Sequence, residues 1–387
     1  MLEARDRIGG RCWTRRLPGV SAPIELGAEF IHGRPDVTLR LLRQSGIGSI
    51  DSVRESRYVR NGALVPINPF AEAQRALRGA RLSKDVSFAT LLARRRLPAR
   101  TRTFARLMVQ GFDAADPARV SARAIAEEWG SGGSIGASQP RPAGGYGPLL
   151  DALATRAFGA GARLRLQAIV REIRWRPNAV EIEGDFAGKR FVERAQRAIV
   201  TLPLGVLQSR TVRFRPAPHG KPRALQRLVS GPVVKAALRF DDPFWEERAP
   251  GVAFFHAPRA PFPTFWTPLP ARVPMLVAWA GGPKAERLSG LSESNLVAQA
   301  LRGLRSIFGR IPAPGAVLVH DWRRDPFARG AYSYLRVGGE GAREDLATPI
   351  GDTLFFAGEA TDAEESGTVA GALRSGERAA RQVLEAQ

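Results

Sequence analysis

The chain has 387 residues, 44% of them hydrophobic and 25% charged, enough to bury a large core and to form two domains. Its formal charge of +21 is almost entirely arginine, since lysine occurs only at 84, 189, 221, 235 and 284. This is a compositional bias that favours anionic surfaces; the densest run, ARRRLPARTR at 93–102, has no aromatic-rich RNA motif, finger or basic zipper beside it, so no specific nucleic-acid partner is expected. The one cysteine, Cys12, excludes an internal disulfide, and the four histidines are too scattered for a metal site. No apolar run is long enough to predict a membrane span, and no signal peptide follows Met1, so a cytoplasmic location is expected unless a leader precedes it.

In chain order, MLEARDRIGGR reads as the end of a buried strand, a carboxylate and a Gly-Gly-Arg turn, the pattern of a dinucleotide-binding βαβ unit from its second strand onward. At such a strand end a carboxylate like Glu3 accepts hydrogen bonds from ribose hydroxyls, Gly9 and Gly10 let backbone approach a ligand, and Arg11 offers a planar donor fork. A surface turn has the same composition, and this stretch alone does not separate the two. Residues 71–128 are predicted helical, with Ser87 capping a segment that carries Phe88, Leu91 and Leu92, Ser121 capping SARAIAEEW, and Pro98 and Pro117 as breaks. The stretch GSGGSIGASQPRPAGGYG marks a crossover between domains. LRLQAIV, VREIRW and AVEIEG read as short strands, the last two joined at Pro177 and Asn178, and RAIVTLPLGVL as a further buried strand and turn.

From 231 to 282, VVKAALRF, GVAFFHA, TFWTPL and MLVAWAG predict an antiparallel sheet. Lys235 sits inside the first of these apolar strands, where it either snorkels to solvent, the commoner outcome, or is held by water and a partner. Trp322, Tyr332 and Tyr334 fall on a turn-rich loop and are either interior packing or cavity walls. DTLFFAGEA reads as a strand ending at Gly358 and Glu359, the end at which open α/β sheets bind ligands. In the helix that follows, Gly367, Gly371 and Ser375 are spaced by four, with Ala372, Gly376 and Ala379 beside them, so one face is nearly bare and suits a sheet or a flat ring. Its amino terminus near Thr368 presents free N–H groups and positive potential. Nucleotide-type elements at both ends predict discontinuous domains, 1–55, 142–212 and 320–387 for a cofactor and 56–141 with 213–319 for a substrate, and the two ends should meet.

Together, EARDRIGGR, GAEFIHG (27–33), GGYGPLLDALA (144–154), the LPLGVL turn, VVKAALRF, the Trp322 loop ending GAYSY, and LFFAGEATDAEESGTVAGALRSGERAA resemble the flavin-containing amine oxidases over essentially the whole chain. That family comprises the monoamine and polyamine oxidases, amino-acid oxidases and flavin histone demethylases. The resemblance implies an α/β fold (α+β overall), in which an FAD-binding Rossmann-like domain carries an inserted substrate domain of antiparallel sheet plus helices. It implies FAD as cofactor, a small-molecule amine as substrate, hydride transfer to flavin N5, and O2 reduced to H2O2. Glu3 would bind the adenosine ribose, with Arg5, Gly9, Gly10 and Arg11 by the pyrophosphate and flavin, Val170 by the adenine, and Gly358 and Glu359 by the ribityl-diphosphate. Gly27, Ala28, Glu29 and Phe30 would line the isoalloxazine, and Thr368 and Val369 would face its pyrimidine edge. Three catalytic roles are implied: Lys235 holding a water near N5, Trp322 packed on the ring, and Tyr332 as one wall of an aromatic cage.

The chain also departs from the family. Thr368 stands where monoamine oxidases place a second cage tyrosine, and Ala370 replaces the histidine of the TVHGA form. Ala331 stands where monoamine oxidases have the flavin-tethering cysteine, so FAD should be noncovalent. The family's first strand and GxGxxG turn are not present, and the strands on either side of them would expose unpaired backbone. The expectation is therefore an N-terminally truncated Rossmann-like domain, with Met1 internal to a longer protein or the chain a truncated descendant. A catalytically silent binding scaffold stands as the alternative to an enzyme. An amino-acid oxidase would need an arginine aimed at the substrate carboxylate, which the sequence does not nominate; nor does it set the oligomeric state.

Overall fold

In the computed structural model, which describes residues 1–17, 19–130 and 139–386, the largest element is a seven-stranded sheet. Its order is Ala316–Asp321, Val233–Arg239, Met275–Gly281, Thr264–Trp266, Phe254–His256, Ser56–Arg60 and Ala63–Pro66. The four strands predicted between 231 and 282 are its centre and pair antiparallel as expected, whereas Phe254–His256 meets Ser56–Arg60 in parallel. Successive side chains of a strand point to opposite faces. In Val233–Arg239 this sends Val234, Ala236 and Leu238 into a core with Phe255, Phe265 and Leu304, the last from the helix Glu293–Phe308. Val233, Lys235 and Ala237 take the other face, where Val233 packs with Trp322 and Ala237 with Ile24.

The N-terminal residues run beside 165–168, with Glu3 N donating to Arg165 O at 3.0 Å and Ala168 N to Glu3 O at 2.9 Å. The predicted LRLQAIV strand is thus shorter than expected, the regular strand beginning only at Ile169. Ile169–Arg176 and Ala179–Phe186 form the hairpin predicted at Pro177 and Asn178, flanked by Arg213–Arg215 and Lys189–Ala195. Ala198–Val200 pairs in parallel with Leu354–Phe356. Among the described residues that is the one strand paired with Leu354–Phe356, whose Phe355 is covered by Ala379 of the final helix.

The helical caps fall where the sequence puts them. Ser87 accepts from Thr90 N at 3.2 Å and opens Phe88–Ala93, Ser121 accepts from Ala124 N at 3.0 Å, and Thr368 accepts from Gly371 N at 3.0 Å to open Val369–Glu385. Pro98 precedes Ala99–Gly111, a break as expected. The helices Asp36–Gln44 and Gly147–Gly159 also form, the former packing on the final helix. Of the Gly/Ser-rich crossover, 131–138 lies outside the described residues.

Candidate active site

One cavity of about 1210 Å³ runs through the molecule, larger than the ~300–1,000 Å³ typical of a single small-ligand site. Every site residue expected from the sequence lines it: Glu3, Arg5, Gly9, Gly10, Arg11, Gly27, Ala28, Glu29, Phe30, Val170, Lys235, Trp322, Tyr332, Gly358, Glu359, Thr368 and Val369. The cavity begins at the N-terminal turn. No regular strand forms at the opening residues, where the expected buried strand is a single parallel bridge of Leu2 to Arg165. Glu3 nevertheless accepts from Arg5 N at 2.8 Å, which fixes its carboxylate there, and Gly9 at φ 95° turns the chain back so that Cys12 N reaches Gly9 O at 2.9 Å. The next segment lies directly on this turn, with Ala28 N donating to Arg11 O at 3.1 Å. A β-carbon on Gly27 would run into that same Arg11 carbonyl oxygen.

The two ends of the chain meet here, as expected. Arg11 donates to Ala331 O at 2.7 Å and to Glu359 Oε1 at 2.8 Å, while Glu359 Oε2 accepts from Ser333 N, Ser333 Oγ and Gly367 N at 3.2, 2.6 and 3.2 Å. Burial alone would raise the Glu359 carboxyl, but the Arg11 and Arg343 charges outweigh it and hold it below the usual carboxylate range. Glu359 therefore clamps the first turn to the last helix. A second clamp is the fork of Arg5 on Asp325, at 2.9 and 2.7 Å, with His320 Nε2 at 3.1 Å from the same carboxylate. It secures the loop of Trp322, whose Nε1 donates to Leu26 O at 2.9 Å. The small residues of the final helix serve two faces. Gly371 and Ser375 pack on the turn before it, Ser375 Oγ accepting from Gly358 N at 2.8 Å, whereas Thr368, Ala372 and Gly376 leave a low wall along the cavity.

Lys235 does not snorkel. Its strand is paired on both sides, its residue is 0% exposed, and Nζ donates to Glu29 Oε2 at 2.7 Å and Gly27 O at 3.3 Å. The ammonium also lies 5.1 and 5.9 Å from the ring centres of Trp266 and Trp279, distances at which aromatic faces attract a cation. Glu29 further accepts from Arg141 Nε and Trp266 Nε1, both at 2.9 Å. Burial would raise the Glu29 carboxyl, yet the Lys235 and Arg141 charges and their hydrogen bonds pull it below its ordinary value.

Around Lys235 the lining is an aromatic chamber, in which Phe30, Trp322, Tyr332 and Tyr334 are expected from the sequence and Phe254, Trp266 and Trp279 are not. Phe30, Phe254 and Trp266 group with centroids 5.8 to 6.3 Å apart, and Tyr332 donates its hydroxyl to Phe112 O at 2.6 Å. His32 and His256 line it as neutral rings, burial pushing each down to about 4. Asp113 and Glu128 add two carboxyls to the wall; burial first, and then the Glu128 charge, pushes Asp113 well above the usual carboxylate range. The signal for the chamber lies in alternation: Phe254 and His256 share one strand face, and register places Trp279 beside both Lys235 and Thr264.

Behind the Gly-Gly-Arg turn, Glu25 is 5% exposed and accepts from Tyr146 N at 2.6 Å and Thr14 Oγ1 at 2.8 Å. Burial lifts its carboxyl to about 7 despite those bonds. Because this lies above the ordinary 4.5, the folded chain keeps a proton that the unfolded chain releases, so stability is full below about pH 4.5 and falls as pH rises through about 7. Glu25→Gln, which keeps the acceptor oxygen, should therefore gain roughly 3 kcal/mol over the parent chain at pH 8 and little at pH 4.5. Denaturant unfolding at the two pH values measures this; equal differences at both would contradict it.

The family of flavin-containing amine oxidoreductases matches residues 1–384. The chain belongs to that family. Among relatives it is 30% identical to polyamine oxidase 3 of Oryza sativa subsp. japonica, over 99% of this chain and 83% of that protein. It is 28% identical to lysine-specific histone demethylase 1 homolog 2 of Arabidopsis thaliana, over 99% of this chain and 55% of that one. The chain spans from 16% to 55% of the length of the first such demethylases it matches. Of solved structures, putrescine oxidase bound to putrescine superposes with TM-score 0.81 at 24% identity, over 99% of this chain and 93% of that one. Cyclohexylamine oxidase from Brevibacterium oxydans gives 0.82 at 23%, over 99% and 92%. As a member of the flavin amine oxidoreductases the chain has their mixed α/β fold, a Rossmann-like FAD-binding unit with a substrate domain of sheet and helices. No described helix is long and apolar enough to cross a membrane.

Proposed function

We propose that the chain is an FAD-dependent amine oxidase acting on a small amine, with O2 as electron acceptor and H2O2 as product. The observation that carries this reading is the continuity of one cavity from Glu3, past the low wall of the final helix, to a buried lysine and an aromatic chamber. The residues fit the cofactor: the Glu3 carboxylate for ribose hydroxyls beside the Leu2–Arg165 bridge, backbone brought close at Gly9 and Gly27, and a helix wall of Thr368, Ala372 and Gly376 that admits a flat ring. When bound, the flavin supplies the hydride acceptor and hands the electrons on to O2. In this reading segments 1–55, 142–212 and 320–387 hold the cofactor, and 56–141 with 213–319 bind the substrate, the chamber drawing its wall from both through Phe30, His32 and Tyr332.

The chain's own residues then position and exclude. The Lys235 ammonium repels a cationic amine, so the substrate enters uncharged with its nitrogen lone pair ready to assist loss of hydride from the adjacent carbon. Trp322 and Tyr332 orient it, and the neutral His32 and His256 add polar contacts without charge. Noncovalent binding is supported by Ala331 and by Cys12, whose buried thiol is pushed up to about 12 and so lacks thiolate character. Purified protein incubated with FAD and desalted should be yellow, release its FAD on acid precipitation, and form peroxide with a panel of primary and secondary amines. Colourless protein after that treatment would end the oxidase reading. It would favour a second one, a binding scaffold, which draws on the one-sided pairing of Leu354–Phe356 among the described residues.

A further inference from the structure

We propose that Glu29 is the positioning residue of this site, acting through Lys235 by holding its ammonium at one point of the cavity wall. The proposal rests on the oxidase reading for its consequence, but its physical basis is in the chain alone. Glu29 gathers donors from three separate elements: Lys235 Nζ from the centre of the large sheet, Trp266 Nε1 from the strand Thr264–Trp266, and Arg141 Nε from the crossover segment. Two of these donors are constrained independently of Glu29. Lys235 is locked by a strand paired on both sides; Arg141 is spread over Ser52 Oγ, Leu269 O and Thr267 O at 2.9, 3.0 and 3.3 Å; and the guanidinium lies 4.4 Å from the Phe30 ring centre. The carboxylate is therefore a preorganised acceptor and needs no rearrangement to receive the lysine.

The second contact, to Gly27 O at 3.3 Å, is long and neutral, so Glu29 is the only carboxylate within hydrogen-bond reach of Nζ among the described residues. Without it Lys235 keeps only the Gly27 carbonyl, the two tryptophan rings and the more distant Glu25 carboxyl, a weaker set that favours losing the charge or moving the side chain. Either response removes a fixed positive charge from the wall against which electrons pass to O2. Glu29→Gln should thus resemble Lys235→Met, although the substituted amide keeps an oxygen for Trp266 and for Arg141.

The test is a double-mutant cycle of Glu29→Gln, Lys235→Met and both together, read in two ways. In the protein without flavin, the loss of unfolding midpoint caused by Glu29→Gln should be at least halved when residue 235 is already Met. In flavin-loaded protein, stopped-flow reoxidation by O2 should slow about tenfold or more in each single variant and no further in the double, with FAD affinity changed less than twofold. Additive effects in either readout overturn the proposal. If no variant and no parent protein takes up FAD, the oxidase reading has failed, and the unfolding cycle still decides whether Glu29 acts on Lys235.

Discussion

Gly27→Ala is expected to yield protein that retains no flavin and unfolds more readily than the parent by at least about 3 kcal/mol. The reason is the atom that stands in the way. The added β-carbon meets the carbonyl oxygen of Arg11, a backbone atom that cannot rotate aside, and the Trp322 ring lies 3.2 Å away on the other flank. Relief requires the GAEF segment to lift off the Gly-Gly-Arg turn, which breaks the Ala28 to Arg11 hydrogen bond and carries Arg11 away from Glu359. Gly10→Ala is the control for stability alone, since Gly10 also lines the cavity. A β-carbon there meets nothing within 4 Å and is opposed only by φ 55°, a cost of about 1 kcal/mol. Flavin absorbance after reconstitution and unfolding midpoints measure both; a Gly27→Ala protein that binds FAD as the parent does would refute the close packing.

Lys235→Met should leave folding and FAD uptake largely intact while slowing turnover on the order of 10²-fold. Methionine nearly matches the volume of the lysine stem between Trp266 and Trp279, so packing survives. Glu29 loses the donor to Oε2 but keeps Arg141 and Trp266 on Oε1, so the carboxylate still has an opposite charge. What disappears is the ammonium in the cavity wall. Steady-state rates with a responsive amine, together with separate rates of flavin reduction and reoxidation, identify the half-reaction affected. Unchanged turnover would remove Lys235 from the chemistry.

The parts of this site legible in the sequence are those with local signals. Gly9 and Gly10 announce a turn, Thr368 announces a helix start, and the small residues after it announce a low face; the structure has all three. The surroundings of Lys235 carry no such signal. An apolar strand with one lysine demands an anion somewhere, but Glu29 is 206 positions away on an irregular segment, and only the tertiary fold decides which of 37 acidic residues it is. The aromatic chamber is hidden for the same reason, since Trp279 and Trp266 reach Lys235 across sheet neighbours. Lys189–Ala195 escaped notice differently: it is mostly exposed, and its two large apolar residues, Phe191 and Val192, fall on opposite faces, so alternation has nothing to report.

The clasp between Arg11 and Glu359 joins residues 348 positions apart. During synthesis the opening turn leaves the ribosome long before its partner exists, and the cradle stays open until the final helix has emerged. For the proposed FAD-dependent function this means that the cofactor site is completed only once the final helix is in place, and nicking or truncating the last thirty or so residues should release the flavin.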